Sequence, residues 1–238
     1  MPAGAAILAA MRLIEAETAT RIATRAFHRV CRRLPETFGV RTTVSGGPLP
    51  PGPCVVCPNH VSYMDILLVA RAADVVFVSR GDLAGWPGIG FLARLAGTVF
   101  LDRSRRRDAA RAADGIGEWL DRGFRVCVFL EGRNGDGADV LPFRSSLLAP
   151  ACARGVPCVP VGIRYDTARS PGAVVARDVA WADDTPFGTH AMRLLGLDGA
   201  DAHVAVGAPR TGPDRKALAA ALEDDVRALA TSVPSPGR

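Results

Sequence analysis

Apolar residues occur along the chain in two alternating patterns, and prolines and glycines separate the segments that carry them. Short apolar runs predict strands at residues 40–44, 54–57, 74–79, 97–101, 125–130, 157–164, 172–181 and 203–206. Helical spacing predicts helices at residues 3–34, 64–72, 85–95, 105–122, 144–154 and 214–231. Because strands alternate with helices, the sequence predicts an α/β fold in which a layered mixed sheet is flanked by helices.

The domain organisation follows from the length of 238 residues, which suits one domain with an appendage. Residues 1–38 are predicted to form an amphipathic helix, residues 39–231 one domain, and residues 232–238 a frayed tail. The longest segment without Asp, Glu, Lys or Arg runs from Thr42 to Met64 and contains five prolines and three glycines. This segment therefore predicts loop and strand rather than a membrane span.

The six cysteines show neither a disulfide framework nor the spacing of a zinc site. Cys54 and Cys57 form a C-x-x-C pair, but no second pair accompanies them. We expect reduced, buried thiols that pack as small hydrophobic side chains, and no metal site.

Positive charge is concentrated at the N-terminus: residues 1–41 hold seven Arg and three Glu, which is +4 of the net charge of +5. One helical stripe of this segment consists of Ile7, Met11, Ile14, Thr18 and Ile22. A basic amphipathic helix predicts attachment to an anionic membrane surface, and the alternative is packing onto the rest of the chain. The other basic run, residues 103–107, has no interleaved aromatic residues, so no nucleic-acid partner is predicted.

Candidate catalytic residues follow the second predicted strand, in the segment Asn59-His60-Val61-Ser62-Tyr63-Met64-Asp65. A neutral imidazole accepts a proton near neutral pH, so His60 suits a general base. A carboxylate on the other ring nitrogen fixes the tautomer and stabilises the cation that forms, and Asp65 is spaced for this role. The alternative for His60 is a histidine that caps a helix or packs in the core.

Three later segments extend this pattern: Gly97-Thr98-Val99-Phe100-Leu101-Asp102-Arg103, Phe129-Leu130-Glu131-Gly132-Arg133-Asn134 and Val156-Pro157-Cys158-Val159-Pro160-Val161. With Asn59-His60 and Asp65, their order and spacing resemble the four motifs of the glycerolipid acyltransferases, the 1-acylglycerol-3-phosphate acyltransferase family. The resemblance covers residues 40–165. The segment at residues 141–147 resembles a bacterial subgroup that includes lyso-ornithine-lipid acyltransferases.

The resemblance implies transfer of a fatty acyl group from acyl-CoA or acyl-carrier protein to a hydroxyl of a lysophospholipid-type acceptor, without a cofactor besides this acyl donor. It implies His60 as the general base and Asp65 as the residue that orients it. It also implies a peripheral enzyme of phospholipid biosynthesis on the cytoplasmic side of the inner membrane. The positions that it places in substrate binding are Asn59, Arg80, Arg103, Glu131, Gly132 and Arg133.

The third motif departs from the family pattern Phe-Pro-Glu-Gly-Thr-Arg-Ser. Leu130 replaces Pro, Arg133 replaces Thr and Asn134 replaces Arg. Either Arg133 supplies the missing cation from one position earlier, or the acceptor headgroup differs from a glycerol phosphate. A catalytically silent relative that binds only lipid or acyl carrier is a further alternative, and the intact His60–Asp65 pair argues against it.

Overall fold

A seven-stranded mixed sheet forms the centre of the computed structural model, which describes residues 18–22, 24–26, 28–80, 99–101 and 106–232. The strands are β1 (Val40–Gly46), β2 (Val55–Pro58), β3 (Val76–Arg80), β4 (Val99–Leu101), β5 (Val126–Cys127), β6 (Cys158–Asp166) and β7 (Ala200–Val206). Their order across the sheet is β1-β7-β6-β2-β5-β3-β4. The five strands from β2 to β6 are parallel to one another, whereas β7 is antiparallel to β6 and β1 is parallel to β7. The predicted fold class is confirmed.

Helices cover both faces of the sheet. The described residues between 18 and 31 are helical and are called α1. The other helices are α2 (Leu34–Thr37), α3 (Met64–Ala72), α4 (Arg106–Asp121), α5 (Ala149–Arg154), α6 (Phe187–Leu195) and α7 (Arg215–Ser232). None of the helices in the described part of the chain is both long and apolar enough to cross a membrane.

Two hydrophobic layers form because the side chains of a strand alternate between the faces of the sheet. Val56 packs in the layer that contains Met64 and Leu68 of α3. Its neighbours Val55 and Cys57 pack in the opposite layer, which includes core residues of α4 and α7. Five of the six cysteines are buried, as predicted, whereas Cys152 is half-buried, and all six are free thiols.

The strand predicted at 125–130 is shorter than expected, at Val126–Cys127, and the structure differs more strongly from the predicted elements in three other places. Residues 172–181 were expected to be a strand, but Val175–Val179 forms one π-helical turn because the Asp178 carboxylate accepts the Val174 N–H at 2.7 Å. The helix predicted at 144–154 consists of a 3₁₀ turn, Ser145–Leu148, followed by α5, because Pro150 has no N–H for a continuous helix. The sequence did not predict α6. The helix predicted at 85–95 lies outside the described residues.

Helix α1 packs on the domain through a stripe different from the predicted one. Thr24, His28 and Cys31 are buried, and the His28 ring lies within hydrogen-bond distance of the Ala70 and Val75 carbonyls, at 2.8 and 2.9 Å. Ile22 was placed on the predicted apolar stripe, yet its side chain is 63% exposed. A polar histidine is buried here because two main-chain carbonyls lie within reach of its ring nitrogens.

Candidate active site

The candidate catalytic residues lie at the carboxyl edge of the parallel strands, where short loops follow β2 and β5. His60 follows β2, and Glu131 follows β5. The Asn59 amide joins the first of these loops to β6, because its nitrogen donates to the Ile163 carbonyl at 2.9 Å and its oxygen accepts the Ile163 N–H at 2.7 Å. Both ends of this buried amide therefore have structural partners, and a role of Asn59 in substrate binding stays a prediction.

The His60 imidazole and the Asp65 carboxylate form a direct hydrogen-bonded pair. Nδ1 of His60 lies 2.8 Å from Oδ2 of Asp65, which stands in the first turn of α3. The same oxygen accepts the N–H groups of Val61 at 2.6 Å and Ser62 at 2.9 Å. Because Oδ2 acts as an acceptor, Nδ1 carries the proton, and Nε2 keeps the lone pair that a general base needs.

The His60 ring is fixed by stacking as well as by Asp65. Its centroid lies 3.9 Å from that of Phe129, with 21° between the ring planes. The His60 side chain is 18% exposed, and no residue in the described part of the chain hydrogen-bonds its Nε2 atom. The ring is therefore held in one orientation, and its side chain is partly exposed.

Tyr165 of β6 is a site residue that the sequence reasoning missed. Its hydroxyl donates to Oδ1 of Asp65 at 2.6 Å, and both residues are buried. Burial and the neighbouring Asp65 charge raise the pKa of Tyr165 well above its ordinary range, so the hydroxyl keeps its proton and remains a donor. Only the pairing of β2 with β6 brings Tyr165 near Asp65, and no local sequence signal marks it.

Glu131 holds the backbone of His60 in place. Its Oε1 accepts the His60 N–H at 2.5 Å, and its Oε2 accepts the Leu141 N–H at 2.9 Å. Burial raises the pKa of Glu131 to about 7, although these two N–H groups act in the opposite direction. On the other side of His60, the Gly135 N–H donates to the His60 carbonyl at 2.7 Å. The loop after β5 thus holds the main chain of the candidate catalytic residue His60 through both its N–H and its carbonyl group.

The altered third motif has a distinct arrangement of polar groups. The Asn134 amide, at the position of the family arginine, donates to the Trp181 carbonyl at 2.9 Å. Arg133 and Arg144 are exposed. The Arg144 guanidinium lies over Gly132, where an added Cβ would stand 3.0 Å from its central carbon. The backbone of Gly132 has φ +74°, a conformation that favours glycine. The absence of a side chain at this position also leaves room for the Arg144 guanidinium.

Some predicted site positions lie outside what the structure describes. Arg103 and its neighbour Asp102 are outside the described residues. The backbone of Arg80 ends β3, and its side chain is not described. Within the described ranges, no group of three or more His, Cys, Asp or Glu side chains is arranged to hold a metal ion.

Comparisons with known proteins agree with the motifs and the fold. A family model described as Acyltransferase matches residues 41–164. The chain is 35% identical over 206 residues to a lyso-ornithine lipid O-acyltransferase of Rhodobacter capsulatus, covering 83% of this chain and 73% of that protein. It is 34% identical over 122 residues to a 1-acyl-sn-glycerol-3-phosphate acyltransferase of Neisseria gonorrhoeae, covering 50% and 48%.

The fold also has a solved counterpart. The crystal structure of the 1-acyl-sn-glycerophosphate acyltransferase PlsC from Thermotoga maritima superposes with a TM-score of 0.69 at 20% identity, covering 92% of this chain and 84% of that one. At this identity the match supports the fold alone. The family model and the Rhodobacter relative, which matches 83% of this chain, lead to one conclusion: the chain belongs to the Acyltransferase family of O-acyltransferases.

Proposed function

We propose that the protein transfers a fatty acyl group from a thioester donor, acyl-CoA or acyl-carrier protein, to the free hydroxyl of a lysolipid. The observation that carries the proposal is the pair formed by His60 and Asp65, in which Nδ1 is bonded to the carboxylate and Nε2 has no hydrogen-bond partner among the described residues. A silent lipid-binding relative would not require this arrangement.

The reaction follows from the state of the imidazole. Nε2 of His60 removes the proton from the acceptor hydroxyl while the hydroxyl oxygen attacks the thioester carbonyl. Asp65 stabilises the imidazolium that forms. The carbon–sulfur bond then breaks, and the thiolate leaves with the proton that His60 held. Asn59, Glu131 and Gly135 act as positioning residues because they hold the main chain around His60.

Lyso-ornithine lipid is the acceptor that we favour over a glycerol phosphate. The lyso-ornithine lipid O-acyltransferase of Rhodobacter capsulatus matches 83% of this chain, whereas the 1-acyl-sn-glycerol-3-phosphate acyltransferase of Neisseria gonorrhoeae matches 50% of it. Asn134 replaces the arginine of the third motif and is bonded to Trp181. The accessible cations beside the motif are Arg133 and Arg144, and a guanidinium binds a carboxylate of an amino-acid headgroup as well as a phosphate.

A direct assay tests the activity and the acceptor together. The full chain is incubated with acyl-CoA or acyl-carrier protein and with either lyso-ornithine lipid or lysophosphatidic acid in mixed micelles, and released thiol and lipid product are quantified. We expect a product with lyso-ornithine lipid at a kcat/KM above that with lysophosphatidic acid. A higher kcat/KM for lysophosphatidic acid would contradict the acceptor, and no product with either would contradict the activity.

We also propose peripheral attachment to an anionic membrane surface through α1. Ile22 and Val30 of this helix are 63% and 57% exposed, and exposed arginines lie beside them at Arg25 and Arg29. Substitution of Ile22 and Val30 by Glu should reduce sedimentation with vesicles of phosphatidylcholine and phosphatidylglycerol. The control is Val44→Glu, an exposed valine of β1. Equal sedimentation of the α1 variant and the control would refute attachment through this helix.

A further inference from the structure

The β6–β7 segment, residues 167–199, lies at the edge of the sheet that holds the candidate active site. It includes the π-helical turn and α6. Strand β6 is parallel to β2, and β7 is antiparallel to β6, with Asp166 opposite Asp201. Both ends of the segment therefore lie at the carboxyl end of β6, and His60 and Glu131 follow β2 and β5 at the same edge.

The β6–β7 segment packs directly on the loop that follows β2. The Trp181 N–H donates to the Val61 carbonyl at 2.9 Å. The Tyr63 ring lies 5.0 Å from the Phe187 ring and 5.6 Å from the His190 ring, measured between centroids. Because Phe187 and His190 belong to α6, this helix is a direct neighbour of the loop that carries the candidate general base.

Helix α6 has one buried face and one exposed apolar face. His190 and Leu194 are buried, whereas the side chains of Met192 and Leu195 are 70% and 48% exposed. No exposed residue of α6 is charged, and the exposed residues of this helix are Gly188, Thr189, Met192 and Leu195. Large apolar side chains in water gain free energy when a partner covers them, so this face is suited to an apolar partner.

Exposed apolar side chains are concentrated on one side of the domain. Cys31 of α1, Leu68 of α3 and Leu194 of α6 pack in the same hydrophobic layer, whereas Ile116 of α4 and Leu222 of α7 pack in the opposite layer. Among the residues whose exposure is described, α4, α5 and α7 have no exposed large apolar side chain. Two such side chains lie on α1, three on the β6–β7 segment and one on the edge strand β1: Ile22, Val30, Val174, Met192, Leu195 and Val44.

The charge of the β6–β7 segment does not favour an anionic partner. The segment contains three arginines and four aspartates, a net charge of −1 with its histidine neutral. The Arg177 guanidinium pairs with the Asp178 carboxylate at 2.7 Å, and Arg193 donates to the Arg177 carbonyl at 2.9 Å. Binding to this surface would therefore depend on the burial of apolar area rather than on positive charge.

We propose that Met192 and Leu195 form a second membrane contact, which enters the apolar region of the bilayer beside the candidate active site. A bilayer is the partner that fits, because the outer face of α6 is uncharged and α1 exposes apolar residues on the same side of the domain. The contact rests on the proposed function, in which the acceptor is a lipid whose hydroxyl must reach His60. A second copy of the chain would cover α6 but would not bring the acceptor to this edge.

Vesicle binding tests the contact without any turnover. Sedimentation of the full chain with vesicles of phosphatidylcholine and phosphatidylglycerol is measured for Met192→Glu/Leu195→Glu. We expect its apparent affinity to fall about tenfold or more, because the burial of two large apolar side chains is lost. The matched control is Ala217→Glu/Ala220→Glu, which adds the same charges at the same spacing on exposed positions of α7, and it should stay within about twofold. Equal affinities of the two double variants would overturn the proposal.

Two further measurements distinguish an apolar contact from an effect of charge or of misfolding. The exchange Met192→Leu/Leu195→Met keeps the apolar area, so this variant should bind vesicles as the parent does. At about 1 M salt, where the Debye length is about 3 Å, charge repulsion is screened, and the Glu variant should still bind more weakly than its control. A difference that disappears at this salt concentration would contradict the proposal, as would an exchange variant that binds as weakly as the Glu variant.

Kinetics separate the contact from the proposed function. For Met192→Glu/Leu195→Glu, kcat/KM should fall about tenfold more with lyso-ornithine lipid in vesicles than with a short-chain, water-soluble analogue. Equal losses with the two acceptors would contradict the contact. Absence of turnover by the parent would contradict the proposed function, and the vesicle-binding test of the contact would still stand.

Analytical ultracentrifugation without lipid tests the other occupant of the α6 face. We expect the parent and Met192→Glu/Leu195→Glu to have the same oligomeric state. A parent dimer that this variant dissociates, together with unchanged vesicle binding, would assign the α6 face to a second copy of the chain and refute the membrane contact.

Discussion

The hydrogen bond from Tyr165 to Asp65 provides a quantitative test of the candidate active site, because the chain contains only two tyrosines. Tyr165→Phe removes a donor that lies 2.6 Å from Oδ1 of Asp65, in a region where Tyr165 is 5% exposed and Asp65 is fully buried. Water therefore has little access to replace the lost bond. We expect the free energy of unfolding to fall by about 2–3 kcal/mol, the upper end of the range for a hydrogen bond to a charged group.

The second tyrosine supplies the matched control. The Tyr63 hydroxyl lies 3.3 Å from Nδ1 of the His190 ring, which is a long contact between neutral groups. Tyr63→Phe should therefore cost less than about 1 kcal/mol. Both variants are compared with the parent protein by urea unfolding, followed by circular dichroism.

Kinetics complete this test. In Tyr165→Phe the N–H groups of Val61 and Ser62 still hold the Asp65 oxygen that faces His60. The kcat/KM for acyl transfer should therefore fall by no more than about tenfold, well short of the 10²–10⁴-fold contribution of a general base. Equal losses of stability in the two variants, or loss of all activity in Tyr165→Phe, would refute the assigned roles of these bonds.

Three further predictions concern the loops that surround His60. Asn59→Ala should lower the free energy of unfolding, measured in urea, by about 2–4 kcal/mol, because it leaves the buried Ile163 N–H and carbonyl unpaired. A variant of unchanged stability with a raised KM for the acceptor would instead indicate that Asn59 contacts the substrate. Because burial raises the pKa of Glu131 from 4.5 to about 7, the protonated side chain adds about 3 kcal/mol to the free energy of unfolding below pH 4.5. This contribution should be lost as the pH rises through about 7. Urea unfolding at several pH values should show that Glu131→Gln removes this dependence, and an unchanged profile would contradict the assignment. Gly132→Ala should cost about 1–2 kcal/mol in thermal unfolding, because φ is +74° and the new methyl meets the Arg144 guanidinium.

The sequence was sufficient to predict most of the fold because its apolar periodicity is strong where elements are buried. Helix α3 was predicted at 64–72 and is observed at Met64–Ala72. The prediction of a strand at 172–181 was wrong because the Asp178 carboxylate accepts the Val174 N–H, and the chain forms a turn there instead. Such competition between side-chain and main-chain partners is not visible in a pattern of apolar residues.

The candidate site was predicted where its residues are close in the chain. His60 and Asp65 are five positions apart, so a loop and the first turn of a helix bring them together. Tyr165 lies 100 positions from Asp65 and reaches it only through the pairing of β2 with β6. Glu131 was expected to contact substrate, which stays a prediction, and the contacts of its oxygens with the N–H groups of His60 and Leu141 were not predicted. The contacts that support a catalytic residue depend on tertiary structure, which local motifs do not record.

The most direct test of the central claim is acyl transfer by a His60→Ala variant, with His203→Ala of β7 as the matched control. His60 is proposed to remove the proton of the acceptor hydroxyl, so its loss should lower kcat/KM by about 10²–10⁴-fold. Circular dichroism and the unfolding midpoint should show that both variants remain folded. Turnover by folded His60→Ala near that of His203→Ala would contradict the role of His60 as the general base.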